Sequence, residues 1–129
     1  MKLHPYLMYP GNTAEALAHY AAIFGGTVEN MMTFGDMPPE DHFPGMNPDH
    51  IANASLKLPG GGLLMANDTT EHTGFAGASL MTDWDDPDAA FTALAEGGSV
   101  QMPCAPTFWA KAFGICTDKF GVTWMVNCE

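Results

Sequence analysis

Residues 61–68 read GGLLMAND and residues 121–128 read GVTWMVNC. The second stretch lies 121 − 61 = 60 positions after the first, and the two share Gly61/Gly121, Met65/Met125 and Asn67/Asn127 at matching places. A second match, GGTV at 25–28 against GGSV at 97–100, has an offset of 97 − 25 = 72. Two landmarks in the same order mark an internal repeat, and a repeat fixes the architecture before any single element is assigned. The drop from 72 to 60 places about twelve extra residues in the first copy. Residues 35–49, with four prolines and two glycines, are the natural place for them, as a long loop.

Each GG landmark closes a predicted helix. In the first copy Asn12 is the expected N-cap with Glu15 three residues on, Leu17, Tyr20, Ala21 and Phe24 share a face, and Gly25 is the stop. In the second, Asp86 is the cap, Pro87 takes the first helical position, Phe91, Leu94 and Ala95 form the stripe, and Gly97 ends it. Short apolar segments at 6–9 and 78–82 precede the helices as strands, and two or three more strands follow each. The run 60–62 after Pro59 reads as a hairpin turn. A phosphate loop would instead open a helix. Each half is thus a β-α-β-β-β unit, which needs a second copy to bury its sheet. The expected class is α+β, with pseudo-symmetric modules at about 1–69 and 75–129 and a curved antiparallel sheet forming a cup.

Composition excludes several partners. The chain has 129 residues, 15 Asp plus Glu, and four cations, all lysine (Lys2, Lys57, Lys111, Lys119), for a net charge of −11. An acidic surface repels nucleic-acid backbones and anionic lipid, so neither nucleic acid nor membrane is expected as a partner. With no arginine there is no guanidinium fork for a phosphate or carboxylate dianion. Three cysteines spaced twelve apart (Cys104, Cys116, Cys128) suit buried free thiols in a reducing compartment better than a disulfide framework or zinc ribbon. The opening MKLHPYLMYPGN is too poor in apolar residues before Pro10 to be a signal peptide. The expected setting is cytoplasmic.

Three segments carry a family resemblance: YLMYPGNTAEALAHYAAIFGG at 6–26, FGDMP at 34–38 and TFWAKAFGICTDKFGVTWMVN at 107–127. On these the chain resembles the PhnB-like branch of the vicinal oxygen chelate (glyoxalase/bleomycin-resistance/dioxygenase) superfamily. The resemblance implies paired βαβββ modules, a homodimer and, in metal-dependent members, His, Glu or Gln ligands on the first and last strand of each module. A divalent ion held there acts as a Lewis acid on two neighbouring substrate oxygens. Carried onto this chain, the last-strand positions are Met65 and Met125, and the first-strand positions, paired by the offset of 72, are Pro5 and Gly77. None supplies an oxygen or nitrogen side-chain ligand, and thioethers suit soft Cu(I). No metal, cofactor or catalytic residue is therefore assigned.

What remains is a pocket. Strand alternation puts Leu63, Asn67, Thr123 and Asn127 on the face of Met65 and Met125, and turns Leu64, Trp124 and Val126 toward the helices. Trp109 and Phe113 belong to the family's FWxxxFG segment near the cavity mouth. The expected ligand cavity comprises Met65, Asn67, Trp109, Phe113, Thr123, Met125 and Asn127, with His50 at its rim. PhnB-like sequences are often labelled ubiquinone-pathway methyltransferases, but no Gly-rich strand-to-helix fingerprint for a methyl donor is present. The expected function is metal-free binding of a small, partly apolar, neutral or cationic molecule, as in bleomycin resistance. The alternatives are an enzyme, either a glyoxalase-type lyase, isomerase or dioxygenase whose metal site has moved to His4 or His50 or one using metal-free acid–base chemistry, and a protein that works through its dimer surface.

Overall fold

The computed structural model describes residues 1–129, as two compact units, Met1–His72 and Thr73–Glu129. The first contains β1 (Tyr6–Tyr9), α1 (Thr13–Phe24), β2 (Thr27–Thr33), β3 (Ile51–Lys57) and β4 (Leu63–Asp68). The second contains β5 (Leu80–Asp83), α2 (Pro87–Ala95), β6 (Ser99–Ala105), β7 (Ala112–Thr117) and β8 (Thr123–Cys128). Both are βαβββ modules with one four-stranded sheet, ordered β1-β4-β3-β2 and β5-β8-β7-β6. No helix is long and apolar enough to cross a membrane.

The sheets are mixed, which corrects the antiparallel expectation. β1 pairs with β4 and β5 with β8 in parallel, while the other pairings are antiparallel. The helix brings the chain back to the starting end, so the strand after it runs in the direction of the strand before it. Two antiparallel steps later the fourth strand runs that way again, and it lies beside the first.

The GG repeat has a double structural reason. Gly25 and Gly97, just past the helices, have φ of 77° and 76°, a left-handed turn that frees the chain from the helix. The second glycine of each pair leaves no room for a side chain. A Cβ on Gly26 would stand 2.8 Å from the Lys57 carbonyl oxygen, and one on Gly98 would collide with that of Thr117. Lys57 and Thr117 end β3 and β7, so the motif seats the strand after each helix tightly against its neighbour.

Three expected details change. The loop at 35–49 contains two short 3-10 turns, Phe34–Asp36 and Pro39–Asp41, the first held by a reciprocal Thr33–Asp36 capping box. Asn12 occupies the N-cap of α1, yet its side chain makes no capping bond. Asp68, at the end of β4, does this instead: one oxygen accepts from Thr13 N at 2.9 Å and the other from Ile51 N at 2.8 Å. Of the three free thiols, only Cys116 is fully buried.

The core of each module lies between sheet and helix. In the first, Leu17, Tyr20 and Phe24 of α1 pack with Tyr9, Ala54, Leu56, Leu64 and Ala66, all buried, and the Tyr9 and Tyr20 hydroxyls share a 3.0 Å hydrogen bond. In the second, Phe91 and Leu94 of α2 are buried with Cys116, Trp124 and Val126. Asp118, 2% exposed, ties that end together. One of its oxygens accepts from Phe120 N and Val122 N and the other from Trp124 Nε1, at 2.9–3.0 Å.

Candidate functional site

Each sheet has a second face, turned away from its helix, and strand register determines which residues occupy it. Residues directly opposite on neighbouring strands share a face. In the first module Tyr6 stands opposite Met65 and Met65 opposite Ser55, and the next row begins Met8–Asn67. In the second, Met81, Met125 and Ile115 form one row, and Asp83, Asn127 and Phe113 form the next. Leu64, Trp124 and Val126, between these positions, are buried on the helix side. The alternation inferred from the sequence therefore holds.

The register also corrects the first-strand positions. Tyr6 faces Met65 and Met81 faces Met125, an offset of 81 − 6 = 75. The sequence landmark gave 72 because it was measured past the helix, and α2 has nine residues where α1 has twelve. Gly77 lies in a turn before β5, with φ of 85°. Leu7, next to Tyr6, pairs with Ala66, and Leu80, next to Met81, pairs with Trp124, so both belong to the helix side. On the open faces the first-strand side chains are Tyr6 and Met8, and Met81 and Asp83.

Methionine is concentrated here. Met8, Met65, Met81 and Met125 lie in the central rows, and Met32 and Met102, on the edge strands, stand opposite Asn53 and Ile115. Six of the chain's ten methionines thus line sheet surface away from the helices, where flexible thioethers conform to varied apolar shapes. Polar groups interrupt them at few points. Tyr6 donates its hydroxyl to Asn53 Oδ1 at 3.4 Å, and partial burial raises its pKa above the ordinary tyrosine value. Asn127 donates Nδ2 to Asp83 Oδ1 at 2.7 Å. The buried Oδ1 atoms of Asn67 and Asn127 accept no hydrogen bond.

The predicted pocket residues divide by module. Met65 and Asn67 share the open face of the first. Thr123, Met125, Asn127 and Phe113 share that of the second, where Trp109 joins them by packing edge-on to Phe113 with ring centroids 5.4 Å apart. Trp109 is held from a loop in which Thr107 Oγ1 accepts from Trp109 N and Ala110 N at 3.4 and 3.1 Å. His50 lies just before β3, its ring against Gly11 in the β1–α1 turn. Sequence reasoning missed Asp83, since the expected strand stopped at residue 82 and the offset of 72 misaligned it.

The donor set does not fit the divalent ion of metal-dependent relatives. The central positions carry a phenol and three thioethers (Tyr6, Met65, Met81, Met125), and no group of three or more His, Cys, Asp or Glu side chains is placed to hold a metal. Divalent ions of this chemistry take imidazole, carboxylate or amide-oxygen ligands, and thioethers do not replace them.

Comparison with known proteins agrees with the fold. The family model for the Glyoxalase/Bleomycin resistance protein/Dioxygenase superfamily matches residues 2–126, and the chain belongs to that superfamily. Protein YjdN of Escherichia coli (strain K12) is 34% identical over 139 aligned positions, covering 98% of this chain and 95% of its own. The crystal structure of protein PA1353 from Pseudomonas aeruginosa is 45% identical with a TM-score of 0.88, covering 100% of this chain and 98% of its own. A PhnB protein from Bacillus cereus, named as a putative 3-demethylubiquinone-9 3-methyltransferase, shares the fold at a TM-score of 0.79 and 24% identity, with both chains fully covered. The superfamily reading of the sequence stands, with no substrate assigned.

Proposed function

We propose that this protein binds a small, partly apolar molecule against the open sheet faces without a bound metal, and does so as a cytoplasmic homodimer. One observation carries the reading: at the centre of the open faces Tyr6 stands opposite Met65 and Met81 opposite Met125, with no imidazole or carboxylate among them. Thioethers and aromatic rings make apolar contact surface, and a few amide groups among them orient a ligand. The pocket proposed from sequence is retained in two parts, Met65 and Asn67 on one module and Thr123, Met125, Asn127, Phe113 and Trp109 on the other, with His50 kept as a rim residue. Free thiols and an acidic surface agree with the cytoplasm and with solubility.

Methionine methyl NMR tests this directly, since the ten methyl groups report on both faces. Fragments from a small-molecule library are expected to shift Met81 and Met125, or Met8 and Met65, ahead of the other signals. Protein purified without chelators is expected to melt at the same temperature before and after EDTA. A stoichiometric divalent ion whose removal lowers the melting temperature would overturn the reading, as would fragments that never move the open-face methyls. A sedimentation mass of one chain would remove the dimer.

A further inference from the structure

The two open faces differ at one position in a way that specifies ligand charge. At the second row the first module has Met8 opposite Asn67, and the second has Asp83 opposite Asn127. Asp83 is exposed, and its recorded hydrogen bond is the 2.7 Å contact from Asn127 Nδ2. Asn127 is only 6% exposed, and its Oδ1 accepts nothing. The amide therefore fixes the carboxylate in place with its N–H and keeps a second, unmet acceptor beside it. Phe113 stands opposite Asn127 on the other side, with Trp109 packed on its ring. Met81 and Met125 fill the adjacent row. None of the chain's four lysines occupies either row, so nothing within them neutralises Asp83.

A carboxylate, an amide oxygen short of a donor and an aromatic face in one row form a receptor for a protonated amine. An ammonium has three N–H donors and no acceptor. It satisfies Asp83 by a charge-assisted hydrogen bond, offers a donor to the amide oxygen and is attracted to aromatic faces. Thioethers in the next row accept the apolar remainder of the molecule. We infer that the Asp83–Asn127–Phe113 row is the subsite for the cationic amine head of the ligand, with Asp83 as its counter-ion. This rests on the small-ligand reading above and narrows it to amphiphilic cations bound by the second module.

The test uses two probes of equal size, 2-phenylethylammonium and the neutral 2-phenylethanol, titrated into full-length protein at low salt and followed by NMR. The amine is expected to bind about tenfold more tightly than the alcohol, the scale of one charge-assisted hydrogen bond, and to shift the Asn127 side-chain amide together with the Met81 and Met125 methyls. Asp83→Asn, at an exposed position, is expected to remove that tenfold for the amine and leave the alcohol unchanged, with no change in melting temperature. If the alcohol binds this face as tightly as the amine, or the variant leaves amine affinity intact, the counter-ion role of Asp83 is wrong and the small-ligand reading survives. If neither probe moves either open face, both fall together.

Discussion

The two modules share a plan and anchor it differently. In the first, the carboxylate that caps the helix comes from the far end of the sheet, Asp68, which also takes the first backbone N–H of β3. In the second, the position sixty residues on is Cys128, and the capping is local: Asp86 accepts from Ala89 N at 3.4 Å. The second module's buried carboxylate is instead Asp118, in the β7–β8 turn, where it gathers three donors. One carboxylate therefore fastens helix to sheet, and the other fastens a turn to the core tryptophan. The repeat preserves the path of the chain and the glycines that shape it, while the polar fastenings have diverged.

Deleting these fastenings should separate the modules, and the largest effect belongs to Asp118. Asp118→Ala leaves two backbone N–H groups and the Trp124 indole N–H without their acceptor, an expected loss of about 4 kcal/mol in chemical denaturation. Asp68→Ala strands two donors, with an expected loss of about 3 kcal/mol. Amide exchange should tell them apart, with Asp68→Ala opening α1 and Asp118→Ala opening β7 and β8. Equal losses of protection in both modules would show that the units do not hold their stability separately.

A smaller effect is tied to pH. Burial first, and the Asp118 carboxylate second, push the Cys116 thiol from its ordinary 9.0 up to about 11. Once unfolded, the thiol returns to its ordinary value and releases its proton earlier than in the folded protein. Stability that is complete below pH 9 is therefore lost as pH rises through about 11. Cys116→Ala should be less stable at neutral pH and lose that part of the alkaline decline. A decline of unchanged steepness in the variant would contradict the assignment.

The smallest effects compare the two helix starts. Asp86→Ala removes a working cap and should cost about 0.5 kcal/mol. Asn12→Ala removes a side chain that caps nothing and should stay within about 0.3 kcal/mol of wild type. A larger cost at Asn12 than at Asp86 would reverse the contrast drawn between local and long-range capping.

How far the sequence could be read follows from what encodes each feature. Strand β1, both helix starts and the hairpin at 60–62 depend on local patterns of apolar residues, Pro and Gly, and those were legible. The alternation around Met65 and Met125 was legible for the same reason. The first-strand positions were not, because a repeat offset carries across a helix only if both helices have the same length, and α2 is three residues shorter. Asp68 was passed over since its partners are backbone N–H groups 55 and 17 residues away, and Asp118 since two of its three partners are backbone N–H groups, which leave no trace in composition. Asn12 sits at the N-cap as expected, but the acceptor for the helix start, Asp68, arrives through the fold. Asp83 became visible on the open face only when register set it beside Asn127.

The outer strands carry a consequence of their own. β1 and β5 are edges of only four residues each, and β2 and β6, at the opposite edges, are each broken by two register shifts. In β2 the irregular stretch includes Asn30 at a positive φ of 54°. A growing aggregate recruits chains along a long, flat row of free N–H and C=O groups, and within each sheet no edge presents one. Methionine-rich surface would otherwise make this chain prone to stack with itself. The bulges let it carry that apolar surface while denying its own copies a template for fibre growth.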